Sequence, residues 1–277
     1  MKPLFISDLD GTLLNERGEL DAQTVDLIHR LTAAGHWFSI ATARSAASAG
    51  KFLEQLRLPI PVVLMNGVVL YHPMTKEYVH VESIPPQAAE QALGVFARGG
   101  RLPYRFSFDG RDFSVEYRFL YHQADRKFAR QRQTLYHRFE AVEAYEPGRN
   151  VVYLAALDRW EVLSPIVREL RALPEVSVTF YQDAYEDGMW FCECFSHRAS
   201  KAVGARNLQR MLGADQLVAF GDNTNDIPLF EQADECYAVA NGVEQLKSLA
   251  TDIIGSNREQ GVARYLARRL ENCNKWI

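Results

Sequence analysis

Long apolar runs are missing from this chain of 277 residues. No segment approaches the ~18 uninterrupted apolar residues that a membrane helix needs. The amino terminus, Met1-Lys2-Pro3-Leu4-Phe5-Ile6-Ser7-Asp8, meets an acid before a leader's apolar stretch is complete. A positive excess is also missing: the formal net charge is -4, which gives no electrostatic reason to bind nucleic acid or a membrane surface. The expectation is a cytoplasmic protein with neither kind of partner. Cysteine is scarce, with four residues, Cys192, Cys194, Cys236 and Cys273. Cys192-Glu193-Cys194 lacks a second pair at zinc-site spacing, and in an extended segment both sulfurs share one face, which predicts core packing. The seven histidines, His29, His36, His72, His80, His122, His137 and His197, form no metal-spaced cluster. Internal repeats and low-complexity linkers are absent as well.

What remains is an ordinary globular composition, 47% hydrophobic and 24% charged, in a chain long enough for two domains. The first stretch reads as strand, loop, helix, strand. Leu4-Phe5-Ile6 runs into Asp8; Asp21 caps a helix with Val25, Ile28 and Leu31 on one face, and Gly35 ends it. Trp37-Phe38-Ser39-Ile40-Ala41 is a second strand ending at Thr42. A helix is predicted over 46–57, and Pro61-Val62-Val63-Leu64-Met65 is a third strand ending at Asn66-Gly67. Near the carboxyl end, Ser200-Lys201 opens a helix with Val203, Leu208, Met211 and Leu212, stopped by Gly213. Leu217-Val218-Ala219-Phe220 then runs into Gly221-Asp222, and Pro228 suits the first turn of another helix. Strands alternating with helices at this spacing predict an α/β fold with a doubly wound, Rossmann-like parallel sheet.

The middle of the chain differs. A helix-like run within 84–108 leads to two short aromatic strands, with Phe108-Asp109-Gly110-Arg111 as a hairpin turn. Val151 to Ala156, the helix-like stretch 160–172 and Val176 to Phe180 form a β-α-β string. The boundaries expected are a core of residues 1–82 and 195–277 and an inserted α+β domain of residues 83–194, near the usual ~100-residue size.

Four separated pieces fall where strands end or a helix begins, the edge at which open α/β sheets hold ligands. Asp8 and Asp10 are two apart, so their carboxylates can point to one side. One can attack phosphorus as a nucleophile; the other can protonate a leaving oxygen and later take a proton from water. Gly11 permits the tight turn and Thr12 can anchor it. Thr42 offers a hydroxyl to a phosphoryl oxygen, with Arg44 adding charge or capping its loop. Lys201 lies at a helix start, where free N–H groups favour an anion. Asp222 and Asp226 flank a tight loop of hard oxygen donors suited to magnesium, and Asn225 can touch phosphate. Taken singly, each has a plainer reading: a solvated Asp-Gly turn, a threonine starting a helix, a surface lysine, an Asx turn capping a helix.

In this order the pieces resemble the motifs of the haloacid dehalogenase superfamily of phosphohydrolases. Asp8-Leu9-Asp10-Gly11-Thr12 matches the first motif, Thr42 the second, Lys201 the third, and Gly221-Asp222 with Asn225-Asp226 the fourth. Asn66-Gly67 and the size of the insert resemble the Cof-type branch with a type IIB cap. Ala43 stands where that branch usually has glycine, and the Ser196-His197-Arg198-Ala199-Ser200 lead into Lys201 lacks the common glycine or proline turn. The resemblance implies a magnesium-dependent phosphatase acting on small phosphorylated metabolites, sugar phosphates first, through an aspartyl-phosphate on Asp8. It implies magnesium held by Asp8, the Asp10 carbonyl and Asp222, with Asp226 supporting them. Thr42, Lys201 and Asn225 would bind phosphate, and Asn66 and Gly67 would lie against substrate. The insert would set substrate specificity. A phosphomutase of the same superfamily and a non-catalytic binding protein that kept the fold are the alternatives. Individual substrate and oligomeric state stay open.

In the insert, Tyr104, Arg105, Phe106, Phe108, Arg111 and Tyr117 are candidates for lining a ligand, although core or sheet-face positions suit most of them better. Glu193 reads equally as a substrate contact or a solvated acid. The basic stretch 126–138 reads as a solvated helix face, with Phe128 and Leu135 turned inward.

Overall fold

The computed structural model describes residues 2–136, 138–183 and 186–274, with side chains through residue 270. His137 and the Cys273 side chain lie outside the described residues. The chain forms two compact units, Met1–His80 with Ser200–Ile277, and Val81–Ala199.

In chain order the first unit begins with β1 (Pro3–Ser7), α1 (Ala22–Ala33), β2 (Trp37–Ile40) and α2 (Ala46–Leu56), then β3 (Val62–Leu64), β4 (Val69–His72) and β5 (Glu77–Val81). The second unit contains α3 (Pro86–Arg98), β6 (Tyr104–Phe108), β7 (Phe113–Tyr117), α4 (Gln123–Arg132), β8 (Arg138–Ala141), β9 (Val151–Arg159), α5 (Trp160–Leu170), β10 (Val176–Gln182) and β11 (Met189–Ser196). The first unit resumes with α6 (Lys201–Leu212), β12 (Gln216–Gly221), α7 (Ile227–Gln232), β13 (Glu235–Val239), α8 (Glu244–Lys247), β14 (Asp252–Ile254) and α9 (Gly261–Asn274).

The central sheet of the first unit has the order β14-β13-β12-β1-β2, every pairing parallel. A parallel bridge from Ala41 to Val63 continues it toward the small β3-β4-β5 sheet. Alternation along the strands explains why both faces are apolar. Leu4, Ile6, Leu217 and Ala219 pack with Ala205 and Leu208 of α6 and with Leu229 and Phe230 of α7. Phe220 points the other way, its ring 5.3 Å from that of Tyr265 in α9. Helices therefore cover both faces, as the doubly wound pattern predicts.

The helix expected to open at Ser200-Lys201 forms as α6; Val203 and Met211 are exposed on it, and Ala202, Gly204, Ala205 and Leu208 face inward. Close approach to the sheet selects small residues here, since a Cβ at Gly204 would stand 2.5 Å from Val63 Cγ1. Asp21 occupies the N-cap position of α1 but caps nothing with its carboxylate, which accepts instead from the Asn15 amide at 3.1 Å.

The second unit is a six-stranded sheet, β10-β11-β9-β6-β7-β8, antiparallel except for the β7–β8 pair. On one face α3 and α5 enclose a core containing Leu154, Val176, Cys192 and Cys194, so the paired thiols pack as predicted. The other face is aromatic: Tyr104 meets Phe128 of α4 and Tyr117, Phe106 meets Tyr153, and Tyr153 stacks on Phe195. Arg105 is buried against Glu116, and Phe108 pairs with the Phe113 ring. Arg111 is exposed in the turn, where Asp109 accepts from its backbone N–H. Phe128 faces inward, whereas Leu135 lies beyond the end of α4 and is 43% exposed. Glu193 is a buried acid, accepting from Thr179 Oγ1 at 2.8 Å and Tyr181 OH at 3.1 Å. Burial raises its pKa, against the pull of those hydrogen bonds.

Candidate active site

Strand order decides where the site lies. The chain leaves β1 toward β2 and β3 on one side and returns through β12, β13 and β14 on the other, so the order reverses between β1 and β12. Loops diverging at such a point leave a crevice at the carboxyl ends of the strands. Register puts Ser7 beside Phe220, and the Asp8 N–H donates to the Phe220 carbonyl at 3.0 Å. The turn holding Asp8 thus meets the turn holding Asp222. On the other side, the Ala41 N–H donates to Ser7 O at 2.9 Å and the Thr42 N–H to Val63 O at 3.0 Å.

The first turn, Leu9–Leu13, is a single wide helical turn broken by Gly11 at φ +81. Glycine is required twice over: a Cβ there would have a strained backbone and would stand 2.4 Å from Asp222 Oδ2. Thr12 is buried and its hydroxyl donates to Asp222 Oδ1 at 2.8 Å, so the residue expected to anchor the loop ties it to Asp222. The Asn241 amide donates to Gly11 O at 2.8 Å, and Asn257 donates to Leu14 O at 2.9 Å.

Lys201 enters from the first turn of α6, which is capped by Ser200. Its ammonium is buried, 2.5 Å from Asp8 Oδ1 and 2.6 Å from Asp226 Oδ1. The other oxygen of Asp226 accepts from the N–H groups of Asp222 and Asn223 at 3.0 and 3.1 Å. Asp226 therefore shapes its loop and places Lys201. Gly67, at φ +96, allows the start of α6 to lie close, because a Cβ there would fall 2.0 Å from Ser200 O. Asn66 is buried, bonds Thr42 O through its N–H at 3.1 Å, and accepts from the Asn225 amide at 3.4 Å. Thr42 is buried, its hydroxyl accepting from the Arg44 N–H at 3.2 Å.

The electrostatics follow from burial. Burial pushes Asp8 well above the usual carboxylate range; Lys201 pulls it down, while Asp226 and Asp222 push it up. Asp222 is pushed up to about 6, by burial first and by Asp226 next, with the Thr12 hydrogen bond opposing. Burial alone would lower the Lys201 pKa, but the charges of Asp226 and Asp8 overcome it and hold the ammonium charged. Three carboxylates, Asp8, Asp222 and Asp226, bring oxygens within 4.8 Å of one another, and the Lys201 ammonium bonds two of them, Asp8 and Asp226. A divalent cation fits this set: the donors are hard, and the charge is uncompensated without it. Asp226 has both oxygens committed to Lys201 and the backbone, so Asp8 and Asp222 are the better direct ligands.

Asp8, Asp10, Thr42, Asn66, Gly67, Lys201, Asp222, Asn225 and Asp226 all lie on the turns at this one edge of the first unit. Sequence reasoning missed Asn241 and Asn257. The signal was Asn241-Gly242 directly after the apolar run of β13, at the same sheet edge.

A family model described as haloacid dehalogenase-like hydrolase matches residues 5–266. A 5-amino-6-(5-phospho-D-ribitylamino)uracil phosphatase of Bacillus subtilis is 25% identical over 281 residues, covering 96% of this chain and 97% of its own length. A haloacid dehalogenase-like hydrolase from Bacteroides thetaiotaomicron has a similar structure, with a TM-score of 0.77 at 20% identity over 97% of this chain and 99% of that one. A subclass IIB sugar phosphatase superposes with a TM-score of 0.73 at 18% identity, over 97% and 98% of the two chains. With the parallel sheet, the inserted second sheet and the acidic crevice in place, the chain belongs to the haloacid dehalogenase-like hydrolases, in their Cof-type branch.

Proposed function

We propose that the protein is a magnesium-dependent phosphatase that hydrolyses small phosphorylated metabolites, sugar phosphates among them, through an aspartyl-phosphate on Asp8. The observation that carries this reading is the buried Asp8 carboxylate, one oxygen held by Lys201, within the same 4.8 Å cluster as Asp222 and Asp226. Asp8, the Asp10 carbonyl and Asp222 would hold the cation, and Asp226 supports them from behind. Bound there, magnesium supplies positive charge that lets an anionic carboxylate and an anionic phosphate approach.

The chain's own groups do the rest. The Asp8 oxygen not held by Lys201 forms a bond to phosphorus as the bond to the alcohol oxygen breaks. The departing electron pair stays on that oxygen, which takes the proton of Asp10. Asp10, now a carboxylate, removes a proton from water as its oxygen attacks phosphorus. The Asp8–phosphorus bond then breaks and free phosphate leaves. Thr42, Lys201 and Asn225 hold phosphoryl oxygens, the positioning and charge stabilisation on which phosphoryl transfer mainly depends. Asn66 and Gly67 line the same edge and are assigned to substrate. Residues 81–199 carry selectivity for the leaving group. The phosphatase named above for Bacillus subtilis and the sugar phosphatase of similar fold support a phosphorylated small molecule as the substrate class. Cytoplasmic residence belongs to this reading too: Cys192, Cys194 and Cys236 are buried free thiols, which suits a reducing compartment.

The test is phosphate release from a panel of phosphorylated metabolites, with magnesium or EDTA, for wild type and Asp8→Asn. Magnesium-dependent release that the variant lacks is the expected result. Full turnover by folded Asp8→Asn would remove the nucleophile assignment, and no release from any compound would favour a mutase or a binding protein.

A further inference from the structure

The turn between β2 and α2 grips the turn after β1 through one side chain. Arg44 Nε donates to Asp10 Oδ2 and Arg44 Nη2 to Asp10 Oδ1, both at 2.7 Å. Two parallel N–H···O bonds in one plane fix a carboxylate's direction as well as its distance. The guanidinium is itself braced: Nη1 donates to Ser48 O at 3.3 Å and the group lies 5.0 Å over the Phe52 ring. The Arg44 backbone is tied at both ends, its N–H to Thr42 Oγ1 at 3.2 Å and its carbonyl to the Met65 N–H at 3.0 Å. Asp10 has less support. Its side chain is 48% exposed, and among the described residues no other side chain hydrogen-bonds its carboxylate.

We propose that Arg44 is the positioning residue for Asp10, a role that rests on the reading of Asp10 as general acid and base. The fork occupies one of the two lone-pair directions on each oxygen, so a proton on either oxygen lies along the direction the fork does not use. Because the guanidinium is held in place, that open direction is held with it. Arg44 thus sets the point at which the proton reaches the alcohol oxygen. Arg44 touches neither the phosphorus nor the departing oxygen.

The experiment compares two substrates of similar size and unlike need for an acid. First-turnover alcohol release is measured with magnesium from 4-nitrophenyl phosphate, whose phenolate leaves unprotonated, and from benzyl phosphate, whose alkoxide does not. Wild type, Asp10→Asn, Arg44→Met and Arg44→Lys are tested, each confirmed folded by circular dichroism. Asp10→Asn should lose about 10²–10⁴-fold on benzyl phosphate, the usual contribution of a general acid, and far less on 4-nitrophenyl phosphate. Arg44→Met should show the same split at about 10²-fold, the effect of misplacing a catalytic group, with KM little changed. Arg44→Lys keeps one charged donor and should fall between. Equal slowing of both substrates by the Arg44 variants would overturn the inference and leave the acid assignment standing. No split in Asp10→Asn would overturn the acid assignment and the inference with it. Should Arg44→Met fail to fold, Arg44→Lys decides by the same comparison.

Discussion

Lys201 and Asp8 are 193 residues apart in the chain and 2.5 Å apart at Nζ and Oδ1, both side chains buried. Asp226 completes the group from the other side of the ammonium at 2.6 Å. A buried pair of this kind is a poor source of net stability, but removing one member leaves its partners charged and unsolvated. Lys201→Met should therefore destabilise the fold by about 3–5 kcal/mol in denaturant titration and abolish turnover. Combining it with Asp8→Asn should be less damaging to stability than the two losses added together, because the groups share one interaction. Strict additivity would mean that the pair does not act as a unit.

Gly11 separates the two aspartates of the first turn from the Thr12 anchor. An alanine there must carry φ +81 and place its Cβ 2.4 Å from Asp222 Oδ2. Gly11→Ala should lose about 1–2 kcal/mol of stability for the backbone alone. Activity should drop by at least about tenfold, since the displaced group is a proposed cation ligand. A kinetic comparison at saturating and limiting magnesium checks this: an effect on kcat with no change in magnesium dependence would show that Asp222 is not displaced.

Magnesium should raise the melting temperature of the wild type, and EDTA should reverse the rise. Ligand binding to the folded state alone contributes about 2.7 kcal/mol at a concentration of about 100 times Kd. Asp222→Asn should remove most of this response, whereas Glu235→Gln, on another part of the first unit, should retain it. A full magnesium shift in Asp222→Asn would place the cation elsewhere.

Glu235 accepts two hydrogen bonds from Arg269, at 2.8 and 2.9 Å, tying β13 to α9. The Arg269 hydrogen bonds are the main reason its pKa is held down to about 2. A carboxylate whose folded pKa is depressed contributes stability that is present above its unfolded value, near ~4.3, and is lost as pH falls toward the folded one. The stability difference between wild type and Glu235→Gln should be constant near neutrality and shrink between about pH 4.3 and about pH 2. The pair is partly solvated, so the difference is small. Urea titrations at neutral and acid pH measure it, and a difference that grew on acidification would contradict the sign.

Much of the site was legible because each element announces its own end. Apolar runs stop at Asp8, Thr42 and Gly221, and these are residues where the observed strands give way to turns. Parallel strands all present the same end to one edge, so the turns that follow them must gather there. Local chemistry also marked Gly11, where a tight turn called for glycine, and Ser200, which caps α6. Cys192 and Cys194 were placed in the core by alternation alone.

The partners of those residues were not legible. Thr12 reaches Asp222 across 210 residues, Arg44 reaches Asp10 across 34, and Asn241 reaches Gly11 across 230. The need for small buried residues on α6 was not legible for the same reason: how closely a helix approaches a sheet depends on the strand it meets, here Val63. Periodicity, capping and turn chemistry act within a few residues, so the sequence by itself determined the elements, their alternation and the residue types at their ends. Which side chains pair, and which carboxylates lose water and titrate differently, depends on distances between distant turns, and only the packed tertiary structure decided those.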